Sequence, residues 1–452
     1  MSQARLLAAK ILNRIQESRQ TLDQVMDQAA PEINPLPRAD RSLVQALVFG
    51  VLRWQSRLDW IIDQFSAKNK KIDPLVRVIL RLGLFQLQYL HRIPSSAAVH
   101  TSVELAKLCD RRWAAGFVNA LLRRAIRQSG DLQWPDASRD PAAHLAVIQA
   151  FPLWLISRWR TRWGPETTAR ICEAINAVPP ITLRTNTLRV SRQTLRAAIS
   201  SEAEEVQETR FSPDGLCLSR LHSSLPQWRS FQEGWFQVQS EAAQLVSRLL
   251  SPRPCECVWD VCAGLGTKTA HLAQLMNNQG QIIATDLYAD KLDRLNSEMN
   301  RLGINIVQTV RCDLTRPAPV FGPRPFDRIL VDAPCSGLGV LQKNPDGKWR
   351  VKPEDIQANS QRQLALLDQC AGHLKRGGML VYAVCSLEPE ENQAVVAGFL
   401  KNHPEFSIHH ARLEGVAESD RLLTAQGFFI TIPHQHQMDG FFAAALVKKG
   451  TG

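Results

Sequence analysis

Three features of the sequence predict a multidomain chain: an all-α bundle, then a small α+β module, then a doubly wound α/β domain. Apolar residues recur three and four apart through residues 1–128, the period of amphipathic helices. From about residue 234, short apolar strands alternate with helical segments, the pattern of a mostly parallel sheet. The 452 residues exceed what one domain usually holds, and a hydrophobic content of 44% supplies more than one core.

In the first part, the helical period is clearest at 6–15, 43–52, 58–65, 75–90 and 99–108. Asp73-Pro74 and the Pro94-Ser95-Ser96 run mark helix starts. The last helix carries Arg111, Arg112, Arg123, Arg124 and Arg127 beside Phe117 and Leu121. Of the net charge of +11, most lies here: residues 1–134 hold 20 Lys and Arg against 11 Asp and Glu. Such a block points to a polyanion, most often nucleic acid, with a solvated basic surface as the plainer alternative.

Residues 129–150, with Pro135 and Pro141, read as a linker. The helix 151–163, FPLWLISRWRTRW, interleaves Trp with Arg. Its Trp side chains either stack bases or form a core face opposite a wet Arg face. A strand in PPITLRTNTLRVS (179–191) opens the small module, with Arg184 and Asn186 on a polar face where they can touch phosphate. The domain boundaries expected are 1–135, 136–235 and 236–452.

In the third part, helices are predicted at 239–250, 267–276, 289–301, 353–373 and 389–401, and strands at 258–261, 281–285, 307–310, 327–331 and 379–384. Two late strands, 428–432 and 440–447, are expected as an antiparallel hairpin at the sheet edge. No run approaches the ~18 apolar residues of a membrane span, and the charged N-terminus lacks a signal-peptide core. A cytoplasmic protein is expected. The ten cysteines include no CxxC pair, and Cys255-x-Cys257 is too close-set for zinc, so neither a metal site nor a disulfide framework is predicted.

The first strand of the α/β part ends in DVCAGLGTKT (260–269). Ala263, Gly264 and Gly266 let a ligand approach the backbone ahead of a helix N-terminus. Asp286 ends the second strand, where a carboxylate takes ribose hydroxyls, and Asp313 follows the third, where it can accept from an adenine amino group. The absence of a full GxGxxG favours adenosine without pyrophosphate, as in S-adenosylmethionine, over a nicotinamide dinucleotide.

Two further strands end at thiols. LVDAPCSGLG (330–339) carries Asp332, Pro334 and Cys335, and MLVYAVCS (379–386) carries Cys385. Strand C-terminal ends share one rim of an open parallel sheet, so both thiols can face one substrate. Each alone reads more readily as a small core residue; the pair reverses that balance. A thiolate adding to C6 of cytosine turns C5 into an enamine carbon able to attack a methyl donor, after which loss of the C5 proton expels the thiol. Ser386 reads as a helix cap, with Glu390 and Glu391 in the opening turn.

DVCAGLGTKT, RCD, VDAPCSGLGVLQKNPDGKW and VYAVCSLEPEEN resemble the motif series of the RNA (cytosine-5) methyltransferases. DRSLVQALVFGVLRWQSRLDWII (40–62) and LRLGLFQLQYL (80–90) resemble the RNA-binding bundle of the NusB antitermination factor; with GWFQVQSEAAQLV (234–246) they narrow the resemblance to the Sun/Fmu (RsmB) type. It implies a NusB-like bundle, a small RNA-binding module and a Rossmann-like class I methyltransferase domain that uses S-adenosylmethionine. The implied substrate is 16S ribosomal RNA, naked or in a partly assembled small subunit, with tRNA or another RNA as the alternative; a monomer without membrane association is implied. By matching positions, Cys385 is the nucleophile and Cys335 acts in product release or proton handling. Cys262, Ala263, Gly264, Leu265, Gly266, Thr267 and Lys268, with Asp286, Asp313 and Asp332, line the cofactor site. Lys268 and Asp332 also hold the flipped base and count with the catalytic residues.

One departure stands out. The family loop usually reads CAAPGGKT and this chain reads CAGLGTKT, with Leu265 for proline and Thr267 for glycine. A changed loop stiffness and weaker cofactor affinity are expected. Among rivals, an amino-group methyltransferase favours an Asn/Asp-Pro-Pro-Tyr loop, whereas this loop is DAPC, and a non-catalytic RNA-binding factor has no use for Cys335 and Cys385.

Overall fold

The structure, a computed structural model, describes residues 3–18, 20–66, 71–314, 325–410 and 412–450. Among the described residues nine α-helices come first: α1 (Gln3–Glu17), α2 (Leu22–Ile33), α3 (Arg38–Arg53), α4 (Gln55–Phe65), α5 (Pro74–Tyr89), α6 (Ser95–Leu108), α7 (Ala115–Arg127), α8 (Pro141–Ile148) and α9 (Leu153–Asn176). There follow β1 (Ile181–Thr185), α10 (Arg192–Ile199), β2 (Ala203–Glu208), β3 (Gly215–Leu221), α11 (Arg229–Gln232), β4 (Phe236–Val238) and α12 (Glu241–Leu250). Next come β5 (Cys257–Asp260), α13 (Thr267–Leu275), β6 (Gln281–Asp286), α14 (Ala289–Leu302), β7 (Val307–Arg311) and β8 (Phe326–Asp332). The chain closes with α15 (Gly347–Arg350), α16 (Pro353–Ala371), β9 (Leu374–Val384), α17 (Gln393–Asn402), β10 (Phe406–Ile408), β11 (Phe428–Thr431), α18 (Pro433–His436) and β12 (Phe441–Lys448).

Two compact units result. The first comprises residues 1–177 with 341–351; the second, residues 178–340 with 352–452. In the first, the apolar stripes read from the sequence meet in one core that includes Leu7, Val48, Ile79 and Leu122. Asp73 caps α5 by accepting from Leu75 and Val76 N–H, with Pro74 at the first helical position. α2, opened by a Thr21/Gln24 capping box, falls between the clearest helical periods, while α8, capped by Asp140, lies inside the expected linker. The Trp question in α9 resolves toward packing. Trp159 is fully buried against Phe151 and Trp163, while Arg162 lies 4.3 Å over the Trp163 ring. Gly164, at φ 78°, kinks α9 ahead of Pro165.

The segment 341–351, drawn from the middle of the catalytic sequence, belongs to this helical unit. Its Lys348 is buried, and Nζ donates to the Arg53 and Ala150 carbonyls and to Asn176 Oδ1. Burial pulls the Lys348 pKa well below the ordinary lysine range. Trp349 Nε1 donates to the Leu52 carbonyl at 2.6 Å.

In the second unit, an antiparallel sheet ordered β2-β3-β1-β4 precedes a larger mixed sheet ordered β10-β12-β9-β8-β5-β6-β7. Parallel pairing runs from β9 through β8, β5 and β6 to β7. Alternate residues feed two cores: Val258, Leu330 and Val381 on one face, Trp259, Ile329, Val331 and Tyr382 on the other. The expected antiparallel hairpin forms between β11 and β12, but β12 is not an edge strand. β12 lies inside the sheet between β10 and β9, and β11 pairs with it off the main order. The reason is burial, since Phe441 through Leu446 are buried throughout, which an edge strand with one solvated face would not require. No helix among the described residues is long and apolar enough to cross a membrane.

Arg184 and Asn186 also require correction, because neither is available to phosphate. Both are 1% exposed. The Arg184 guanidinium donates to Gln274 at 2.6 Å, to the Thr267 carbonyl at 2.7 Å, to Gln237 at 2.9 Å and to Gln239. Asn186 Nδ2 donates to the Gly234 and Leu302 carbonyls. Arg184 thus pins the small sheet to both ends of α13, and Asn186 ties it to the end of α14. Arg184→Met should cost about 3 kcal/mol or more in chemical denaturation, because it orphans several buried acceptors. The folded variant should bind RNA with unchanged affinity; a selective loss of RNA affinity at unchanged stability would restore the phosphate role.

Candidate active site

The five parallel strands end on one rim. Asp260 closes β5, Asp286 closes β6 and Asp332 closes β8. Asp313 sits half-buried two residues beyond β7, and Cys385 follows β9 directly. Cys335 lies three residues past β8.

The loop after β5 is built for close approach. Ala263 N–H donates to Thr285 O, and Gly266 N–H to Ala263 O, both at 2.9 Å. Gly264 and Gly266 adopt φ of 56° and 81°, the left-handed region that glycine enters freely. A Cβ on Gly266 would meet Leu295 at 2.5 Å, whereas the space beside Gly264 is open. Asp286 accepts from Gly264 N–H and Tyr288 N–H, each at 3.0 Å. Of the two departures in this loop, Leu265 is exposed and Thr267 is the first residue of α13 with its carbonyl held by Arg184. Leu287 and Tyr288 are exposed beyond β6. A loop with an open glycine, two apolar rim residues and a carboxylate next to them fits an adenosine-type ligand.

Beneath that loop, Asp260 is buried, with one carboxylate oxygen accepting from Thr269 Oγ1 at 2.6 Å and the other unpartnered among the described residues. Burial raises its pKa to about 7, consistent with the cost of ionising a carboxyl out of water. Cys262, half-buried beside it, is pushed well above the thiol range by desolvation.

Lys268 projects from the first turn of α13 and donates to Asp332 Oδ2 at 2.6 Å. Its ammonium lies 5.4 Å from the Phe441 ring centroid. Burial acts to lower its pKa, but the Asp332 charge and hydrogen bond, joined by Cys385, prevail and leave it raised. Lys268 is therefore a fixed cation near Cys385.

The two thiols meet. Cys335 Sγ and Cys385 Sγ stand 3.3 Å apart. The Cys335 thiol is held well above its ordinary range by its hydrogen bond to Cys385, by burial, and by the charges of Cys385 and Glu391. Cys335 thus keeps its proton.

Glu391 is the functional residue that the sequence reading misplaced. Ser386 is not a helix cap and Glu391 is not in a helical turn, because α17 begins at Gln393. The fully buried Glu391 carboxylate instead accepts from Ser336 N–H at 2.8 Å, from the Ser336 and Ser386 hydroxyls, and from Gln363 Nε2 at 3.2 Å. Tyr382 hydroxyl donates to the Glu391 carbonyl at 2.6 Å. One side chain therefore ties down the residue after each thiol. A second tie is backbone: Gly339 N–H donates to Cys385 O at 2.9 Å, and Gly440 N–H to Gly339 O at 2.8 Å. A Cβ on Gly339 would lie 1.9 Å from Gly440 O. The signal available in sequence was Pro389, which delays the helix among three acids.

A Rossmann-like sheet with carboxylates on its rim and a glycine loop opening onto a helix is the architecture of a methyltransferase domain. Comparison with known proteins agrees: residues 247–447 match the 16S rRNA methyltransferase RsmB/F family, residues 2–127 the NusB family, and residues 151–223 the RsmF/B-like ferredoxin-like domain. The probable ribosomal RNA small subunit methyltransferase B of Bacillus subtilis is 35% identical, covering 96% of both chains. That of Synechocystis is 36% identical, covering 99% of this chain and 100% of its own. The crystal structure of PH0851 superposes with a TM-score of 0.81 at 26% identity, covering 99% of each chain. The chain belongs to the RsmB/F family of 16S rRNA methyltransferases.

If Glu391 contributes to the raised Cys335 pKa, Glu391→Gln should let Cys335 react with iodoacetamide at lower pH than in the wild type. Peptide mass spectrometry across pH 7–10 reads this directly. An unshifted profile in a folded variant would confine Glu391 to a packing role.

Proposed function

We propose that the enzyme methylates C5 of a cytosine in 16S ribosomal RNA, through a transient bond between Cys385 Sγ and C6. The observation that carries this reading is the pair of thiols 3.3 Å apart in unlike surroundings, one holding its proton and the other beside the Lys268 cation. Opposed environments of this kind divide acid and nucleophile roles between like groups.

S-adenosylmethionine, when bound, supplies the methyl electrophile. Cys262, Ala263, Gly264, Leu265, Gly266, Thr267 and Lys268 would hold it together with Asp286, Asp313 and Asp332. Asp286 would take the ribose hydroxyls and Asp313 the adenine amino group. The target base must leave its stack to reach the thiols, at a cost of a few kcal/mol. Asp332 and Lys268 then offer an acceptor for the exocyclic amine and a donor for the ring carbonyl. Cys385 adds to C6 and moves the C5–C6 electron pair to C5. After methylation a base takes the C5 proton, the C–H electron pair reforms the C5–C6 double bond, and the Cys385–C6 pair returns to sulfur. Cys335, hydrogen-bonded to the nucleophile, acts in that last stage, in proton handling or thiol release.

The family and the relatives' names support ribosomal RNA of the small subunit as substrate. A tRNA or another RNA would leave the chemistry unchanged, and bisulfite mapping of RNA from a deletion strain separates these cases.

Cys385→Ala should abolish methylation and form no adduct, since no other group adds to C6. Cys335→Ala should still attack and then stall, so RNA should accumulate bound through Cys385. A denaturing gel of each variant with labelled RNA and S-adenosylmethionine is the test. Full turnover by Cys335→Ala, or an adduct in Cys385→Ala, would contradict the assignment.

A further inference from the structure

A cleft of about 560 Å³ opens at the opposite edge of the catalytic sheet, where β5, β8 and β9 begin and β12 ends. Its walls are basic: Arg253, Arg328, Lys375, Arg376, His409 and Arg412 line it, against Glu256, Asp327 and Glu414. The acids are partly spoken for. Arg328 donates to Glu256 at 2.9 Å and to the Leu250 carbonyl, and Lys375 pairs with Asp327 at 2.6 Å. Those pairs stiffen the floor. Arg253, Arg376 and Arg412 are exposed, and their guanidiniums have no hydrogen-bond or ion-pair partner among the described residues. Arg376 stands next to Gly377, at φ 74° with open space around it, so the β9 entry turn leaves the cleft mouth clear.

Three unpaired guanidinium forks around one cleft suit oxyanions, which they engage bidentately. The site is remote from the chemistry. Along β8 alone, Asp327 in the cleft and Asp332 at the rim are separated by about 17 Å at ~3.3 Å per residue. An anion held there is not the cofactor and not the target nucleotide.

We propose that this cleft binds backbone phosphates of a segment of the substrate RNA separate from the target loop, so that the catalytic unit grips its RNA at two edges of the sheet. The inference rests on RNA being the substrate and goes beyond it by assigning a second contact surface. Phosphate contacts fix register without reading sequence, which suits a large folded RNA that must present one base to a half-buried thiol.

The test uses the full chain and the variant Arg253→Ala/Arg376→Ala/Arg412→Ala, all at exposed positions where truncation spares the core. Filter binding over a salt series is measured with whole 16S transcript and with a short hairpin containing the mapped methylated cytosine. The triple variant should lose about tenfold or more in affinity for the whole transcript, its salt slope should fall by about one for each phosphate no longer engaged, and its hairpin affinity should match the wild type. Unchanged affinity and slope on the whole transcript would overturn the proposal, as would an equal loss on the hairpin. Protection of the wild type alone by inorganic phosphate, with transcript binding unaffected, would reassign the cleft to a small anion and likewise overturn it. Since these are binding readouts, they stand apart from methylation: a wild type that binds but methylates no cytosine defeats the substrate reading and leaves the cleft result intact.

Discussion

The buried carboxylate of Glu391 is the constraint on which the catalytic end of the molecule depends. The thiols come from loops 50 residues apart in sequence. Nothing in either loop alone would hold two sulfur atoms in contact. Glu391 accepts hydrogen bonds from Ser336 and Ser386, the residues immediately after the two cysteines, and Gln363 bridges the same carboxylate to the Pro334 carbonyl. A buried charge is tolerated when every lone pair is occupied, and that saturation makes the arrangement rigid. The same carboxylate adds a smaller push to the Cys385 hydrogen bond and the burial that raise the Cys335 pKa.

The parallel sheet supplies the remaining order. Because adjacent parallel strands run in register, their ends deliver Asp260, Asp286 and Asp332 to one rim without further machinery. Lys268, on the helix that follows the glycine loop, then crosses to Asp332. The carboxylates are kept unlike by environment. Asp260 is buried under the loop, while Asp286 is satisfied by backbone N–H groups and Asp332 by an ammonium. Arg184 extends this logic to the small sheet, whose first strand it fastens to the first and last turns of α13.

Much of this was legible in the sequence because it is local. Helical periods in α1, α3, α4, α5 and α6, the strand–helix alternation after β4, and strand ends marked by Asp or Cys depend on residues close in sequence. What escaped depends on distant partners. Arg184 looks like a solvent-facing residue of a strand until Gln239 and Gln274, 55 and 90 residues away, enclose it. Residues 341–351 carry no mark of belonging to the helical unit, since Lys348 finds its acceptors at Arg53, Ala150 and Asn176. β10 spans three residues, too few for a period. Glu391 was visible as a residue and misread in role, because an acid after a serine resembles a helix start when the loop geometry is unknown.

Which sulfur bonds to the base separates the role of Cys385 from that of Cys335. The most direct measurement incubates the wild-type enzyme with S-adenosylmethionine and RNA bearing 5-fluorocytosine at the target position, where fluorine blocks loss of the C5 substituent, and maps the trapped peptide by mass spectrometry. The expected result is a methylated fluorocytosine adduct on Cys385 with Cys335 free. An adduct on Cys335, or methylated RNA released without any adduct, would contradict it.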